Sequence, residues 1–408
     1  MQYQRVNPAQ GSVPAEVVIV SAAPLDPSFP GGFATRHAEF ASAVAQQHRT
    51  ELVYVHDGDA SAFGNVPSPE GLADVHVLAD SAATGWDDPR IPRQSVARGM
   101  RWPSDPGGPL LVAMGANVAH VALHAARSIA VLEEGWERFP PPPGRSPRRR
   151  ALHAAERLRY RSMYRRVGRS ADTVVAITSR ERRHFAQFMP EDRICVIPFG
   201  VDTGHYAPVP GPAPDIDVLI VGAVNRVEQR VEELVNELRR RPETRDARCV
   251  IVGGAPRASV VGLASPTVEV AGYVADVRPY YARAKVVAIP TFLDIGIKTT
   301  MLHAWAMERP AVASKAVLAA ADHGGSQVHL GVATVEEMGP VIARLLDDAV
   351  ERRRLGRLAR LVVLEHHQEQ RSATQFARLV DGALTRPARP RARERASAPS
   401  RARDRRFR

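Results

Sequence analysis

The stretch ADTVVAITSRERRHFAQFMPEDRICVIPFGVDTGHYAP, residues 171–208, decides how the rest of the chain is read. Residues 173–177 are an apolar run of strand length, residues 181–188 read as a helix behind a Ser/Arg start, and residues 193–197 are a second apolar run. A Gly-containing turn then leads into coil. Strand, helix and strand in that order close one parallel sheet, since parallel neighbours need a crossover. The PVPGPAP run that follows, residues 208–214, cannot join a helix or a central strand, so it reads as a linker to another domain.

Asp172 to Ser179, followed by Val196-Ile197-Pro198-Phe199-Gly200-Val201-Asp202, resembles the crossover of GT-B glycosyltransferases, specifically the large retaining family 4 type. Three further segments carry the same resemblance: GYVADVRPYYARAKVVAIP (272–290), TFLDIGIKTTMLHAWAMERPAVAS (291–314) and LGRLARLVVLEHH (355–367). It covers residues 16–384 and is strong from 171 onward. It implies an α/β chain of GT-B architecture, two Rossmann-like domains facing each other across a cleft. The boundaries expected are a disordered leader over 1–14, an acceptor domain over 15–205 and a linker over 206–214. A nucleotide-sugar domain with a return helix follows over 215–384, then a disordered Arg-rich tail over 385–408.

A length of 408 residues with 44% hydrophobic content suits two cores of domain size. No apolar run reaches the roughly 20 residues that span a bilayer, and the N-terminus lacks a basic-then-apolar signal pattern, so a cytoplasmic protein is expected. Cys195 and Cys249 lie in strands of different domains and suggest neither a disulfide framework nor a zinc site. The net charge of +11 invites a nucleic-acid reading, but residues 386–408 hold ten Arg against Glu394 and Asp404, so most of the excess is in the tail. That tail reads either as a solvated extension or as an electrostatic contact to an anionic membrane or nucleic acid. The basic helix over 151–167 has the same two readings, solvated or membrane-facing, which makes peripheral membrane contact an expectation and nucleic acid the lesser one. Lysine occurs only at Lys285, Lys298 and Lys315, a grouping that stands out where Arg does the general cationic duty.

Candidate site residues gather at strand ends, where open α/β sheets bind ligands. After the strand 16–22 comes Gly31-Gly32 before a helix, a turn that reads either as a plain connection or as bare amides for a diphosphate. The resemblance favours the second reading and adds His37. Glu133 and Glu134 end a strand where an acceptor hydroxyl could be met. In the second domain, strand 217–221 ends in Gly222, and a helix expected over 227–240 would aim its dipole at an anion that Arg226 or Arg230 neutralises. Asp215-Ile216-Asp217 looks like a metal-binding DxD but lies at the wrong end of its strand, so no metal is expected.

The resemblance places Gly272 and Tyr273 near the nucleotide base, and Asp294, Gly296, Ile297, Lys298, Thr299, Thr300 and His303 at the donor phosphates and ribose. Here the chain departs from the family. A Lys is replaced by Thr300, the two Glu of the EX7E pair fall on Ile295 and His303, and Glu308 stands for a Gly. A His cannot offer the two acceptors of a carboxylate. The activity implied is sugar transfer from a nucleotide-sugar, UDP- or GDP-linked, to an acceptor that the sequence does not identify. Lys298 and Arg226 would steady the leaving diphosphate without a metal, Glu134 and His37 would face the acceptor, and no cofactor is expected. The departures leave open a GT-B homologue that binds a nucleotide-sugar or a partner protein without turnover.

Overall fold

The computed structural model describes residues 15–21, 32–56, 71–79, 107–140, 146–211, 213–222, 224, 226–321, 328 and 330–387. The expected leader, Gly31 and the tail beyond 387 lie outside the described residues. The first set of strands is β1 (Val17–Ser21), β2 (Thr50–His56), β3 (Asp74–Ala79), β4 (Leu110–Met114), β5 (Ser128–Glu133), β6 (Thr173–Ala176) and β7 (Ile194–Val196). They form one sheet in the order β3-β2-β1-β4-β5-β6-β7, every pair parallel. The second set is β8 (Ile216–Val221), β9 (Cys249–Val252), β10 (Val268–Gly272), β11 (Ala284–Ile289), β12 (Ala311–Ser314) and β13 (Gly331–Val332). Its order is β10-β9-β8-β11-β12-β13, again parallel. In each sheet the order reverses beside the first strand, between β1 and β4 and between β8 and β11. That switch point opens a crevice at the strands' carboxyl ends.

Central strands are buried along their whole length, LLVAM in β4 and SIAVLE in β5, because helices cover both faces. The helices are α1 (Gly32–Ala45), α2 (Pro147–Ser170), α3 (Ser179–Phe185), α4 (Val231–Arg240), α5 (Ala258–Val261), α6 (Arg278–Arg283), α7 (Thr299–Ala306), α8 (Lys315–Ala319), α9 (Met338–Asp347), α10 (Ala349–His366) and α11 (Glu369–Thr385). The cap of α3 is Thr178, whose hydroxyl accepts from the Glu181 amide at 3.0 Å, so the helix begins two residues before the Glu181 start read from the sequence. The expected helix over 227–240 is also changed. Residues 227–229 form a 3-10 turn, Arg230 is left-handed at φ 47°, and α4 starts only at Val231.

The chain crosses between the lobes twice, and the two crossings run side by side. Val201 bridges Gln368, the Val201 amide donates to the His367 carbonyl at 2.8 Å, and the Glu369 amide donates to the Val201 carbonyl at 3.1 Å. Gly200 permits this approach, since a Cβ there would lie 2.5 Å from the Glu369 Cα. Beyond the crossing, α11 packs on the first lobe. Phe376 stacks on Phe40 with ring centroids 4.2 Å apart, and Val380 and Ala383 share a core with Val17 and Ile19. Arg36 of α1 is fully buried and holds the other crossing, donating to the Ile197 carbonyl at 2.7 Å and the Pro198 carbonyl at 2.9 Å. Burial depresses its guanidinium to about 10, opposed by Glu133, so it stays cationic at neutral pH.

Candidate functional site

The carboxyl ends of the two sheets meet at residues 133–138 and 179–181 of the first lobe and 291–300 of the second. Glu133, the last residue of β5, turns left-handed at φ 63°. This bend sends two consecutive carboxylates in different directions. Glu133 accepts from His37 Nε2 at 3.1 Å and lies 3.8 Å from Arg36 Nε, all three nearly unexposed. Glu134 reaches instead to the second lobe and lies against Gly296: a Cβ on Gly296, itself at φ 60°, would fall 2.0 Å from Glu134 Oε2.

Glu134 is 6% exposed. Burial pushes its carboxyl up to about 7; the Lys298 charge opposes the rise, Glu181 and Glu133 add to it, and Arg226 opposes it. Lys298 donates to the Ile295 carbonyl at 2.8 Å, and burial lowers its ammonium although Glu134 pulls the other way. Arg226 is exposed beside them. Gly222, left-handed at φ 143°, faces α7: a Cβ there would lie 3.8 Å from Thr300 Cγ2. The Thr300 carbonyl accepts from Tyr281 Oη at 3.1 Å, and Ile297 is buried beside it. Thus Glu134, Gly222, Arg226, Gly296, Ile297, Lys298, Thr299 and Thr300 converge, drawn from both sheets.

Other expected residues are engaged with protein partners or packed. Arg230 pairs with Glu233, its Nε donating at 2.9 Å, and its guanidinium covers Phe292 at 5.2 Å. The helix dipole is withdrawn to Val231, and the Arg230 charge is matched by Glu233 on the surface of α4. Asp294 forms an ion pair with Arg180 of the first lobe, so its carboxylate is not a free substitute for the absent Glu at Ile295. His303 stacks on Tyr206, centroids 4.0 Å apart, and burial pushes its imidazole down to about 3, with His205 adding to the fall. It is a neutral packed ring. Tyr273, 65% exposed, stands beside Gly254 just past the carboxyl ends of β9 and β10, the same end of the sheet as Gly222. His37 is held within the first lobe by Glu133, and Gly32 opens α1.

The lysines do not cluster. Lys285 pairs with Asp217 at 2.7 Å, and Asp215 pairs with Arg248 and Arg283, at the amino ends of the strands. The Asp215-Ile216-Asp217 carboxylates are therefore matched by cations away from the crevice.

Sequence reading missed Glu181. It is fully buried and accepts from the Gly135 amide at 3.0 Å and, across the lobes, from the Gly296 amide at 3.1 Å, while also pairing with Arg138. Its neighbour Arg180 donates to the Ala316 carbonyl at 3.0 Å in addition to its pair with Asp294. The N-terminus of α3 therefore clasps the loop that carries Gly296. The signal available, Thr178-x-x-Glu181, is a capping-box pattern, which predicts a carboxylate turned back on its own helix.

This pair of doubly covered parallel sheets, with the second chain crossing returning to the first, is the GT-B fold, as the sequence resemblance implied. Residues 215–348, most of the second lobe, match the family glycosyl transferases group 1. HepE of Anabaena, solved in complex with UDP and glucose, is 15% identical with a TM-score of 0.66, over 90% of this chain and 99% of its own. Sucrose-phosphate synthase of Thermosynechococcus elongatus is likewise 15% identical, with a TM-score of 0.68 over 90% of this chain and 98% of its own. OtsA in its apo form is 13% identical, with a TM-score of 0.62 over 91% of this chain and 99% of its own. No curated protein matches the chain.

Proposed function

We propose that this protein is a glycosyltransferase that moves a sugar from a nucleotide-sugar donor to an acceptor, with retention of configuration and without a metal ion. The observation that carries it is Lys298 and Arg226 beside left-handed Gly222 and Gly296, at the switch point of a lobe that matches a glycosyltransferase family. Cleaving a nucleotide-sugar leaves a diphosphate, and fixed cations with main-chain amides lower the cost of that developing charge. Retention rests on the family 4 resemblance of residues 272–314. Since HepE was solved with UDP, UDP-sugars are the first donors to try. Lys298→Ala is expected to weaken UDP binding by about 1.5–3 kcal/mol, the value of a lost charge-assisted contact. Calorimetry settles it, and unchanged affinity would remove Lys298 from the phosphate site.

The acceptor enters from the first lobe, on the side of Glu134 and His37. Helix α2 of that lobe exposes Arg148, Arg150, Arg159, Arg165 and Arg169, with Leu152 at 55% and Leu158 at 66% exposure. Arginines around projecting leucines suit an anionic bilayer surface, which supports peripheral membrane contact. No helix among the described residues is long and apolar enough to cross a membrane. Each Arg→Glu change on α2 is expected to lower binding to phosphatidylglycerol vesicles by at least roughly fivefold, from about 1 kcal/mol per cation. Equal co-sedimentation of a double variant would dismiss the contact.

Ile295 at the position of one expected carboxylate and the packed His303 at the other favour one rival, a homologue that binds nucleotide-sugar without turnover. Tight UDP-sugar binding with neither transfer nor hydrolysis is the outcome that selects it.

A further inference from the structure

An anion is already built into the place where the donor diphosphate is read to bind. Glu134 enters from the opposite lobe, is buried to 6% exposure, and lies within the field of Lys298 and Arg226, the two cations assigned to the phosphates. Nucleotide phosphate and ionised Glu134 therefore compete for the same positive charge. The carboxylate has little room to step aside, since its Oε2 lies where the missing Cβ of Gly296 would project. Its remaining way to make room electrostatically is to take up a proton.

We propose that Glu134 is the resident counter-anion of the donor site, and that binding of a nucleotide-sugar at Lys298 and Arg226 converts its carboxylate to the neutral acid by uptake of one proton from solvent. The inference rests on the donor reading above. The charged groups around Glu134 all bear on the sign. From the second lobe, Lys298 and Arg226 favour the carboxylate; from α3, Glu181 opposes it; from β5, Glu133 opposes it as well. Glu181 and Glu133 are themselves matched by Arg138 and by His37 with Arg36, so they change little when ligand arrives. Arg180 acts mainly on Asp294 and is felt at Lys298. The incoming diphosphate thus removes the chief support of the ionised form. With the free carboxyl poised at about 7, the proton is taken up within the neutral range.

The sign follows from linkage: a ligand that raises the affinity of a site for protons binds more tightly as pH falls. Isothermal calorimetry with UDP-glucose tests this, because both ends of its diphosphate are esterified and do not titrate near neutrality. In Tris and in HEPES, buffers of different ionisation enthalpy, at about pH 7.5, the wild type is expected to give different heats of binding, corresponding to net proton uptake. Its affinity is expected to rise roughly five- to tenfold from about pH 8 to about pH 6. Glu134→Gln, which keeps the shape and is neutral at every pH, is expected to give equal heats in both buffers and a flat pH profile. Equal heats in the wild type with measurable binding overturn the inference and leave the donor reading standing. Uptake that survives in Glu134→Gln assigns the proton to Lys298 and also overturns it. Failure of the wild type to bind either UDP-glucose or GDP-mannose overturns the donor reading itself.

Discussion

Glu181→Ala is expected to destabilise the protein by about 3 kcal/mol, the lower end of the cost of breaking a buried charged pair. The carboxylate is fully buried and serves Gly135, Gly296 and Arg138 together. Alanine leaves two amides without their acceptor and a partly buried guanidinium without its counter-charge. Water can reach Arg138, whose side chain is 22% exposed, which keeps the cost from the upper end of the range. For a lobe of this size the shift corresponds to a loss on the order of 6–12 °C in the melting temperature. Glu181→Gln retains one acceptor oxygen and is expected to lose less. Since the Gly296 contact joins the lobes, the alanine variant should also open the face between them, which a larger radius of gyration by X-ray scattering would register. A melting temperature within about 2 °C of the wild type would show that the clasp contributes nothing.

Gly253→Ala is expected to damage donor binding more than its small size suggests. A Cβ at this position would lie 2.1 Å from the Gly222 carbonyl oxygen and 2.8 Å from Val224 Cγ2. The first of these is backbone and cannot rotate away, so the loop from Gly222 to Arg226 must move by about an ångström. Overpacking of this kind costs about 1–3 kcal/mol in stability. Displacing Gly222 and Arg226 by that distance should lower transfer on the order of a hundredfold, since misplacement of about 1 Å has that effect on aligned groups. The two readouts separate the claims. Lost stability with intact UDP affinity would mean that Gly253 supports the sheet without shaping the site.

Much of the architecture was legible because it depends on local pattern. Apolar runs such as DVLIV and CVIV, each ending at glycine, announce buried parallel strands wherever they fall, and Pro-rich coil at 208–214 separates the two sets. Arg230 shows where local pattern fails. A continuous helix over 227–240 looks reasonable from propensity, yet the loop turns left-handed at Arg230, whose guanidinium pairs with Glu233 and covers Phe292. His303 fails differently: replacing a carboxylate with an aromatic ring lets it stack on Tyr206, a residue 97 positions earlier that no periodicity connects to it.

Composition and motif determined two parallel α/β lobes and glycines at the carboxyl ends of their strands, because each follows from neighbours a few residues apart. Tertiary structure decided the rest. Glu134 and Glu181 look like a strand-end acid and a helix cap along the chain, and only the approach of Gly296 from the other sheet turns them into the contacts between the lobes. A carboxylate's role depends on what shares its low-dielectric surroundings, and here those partners come from more than 110 residues away.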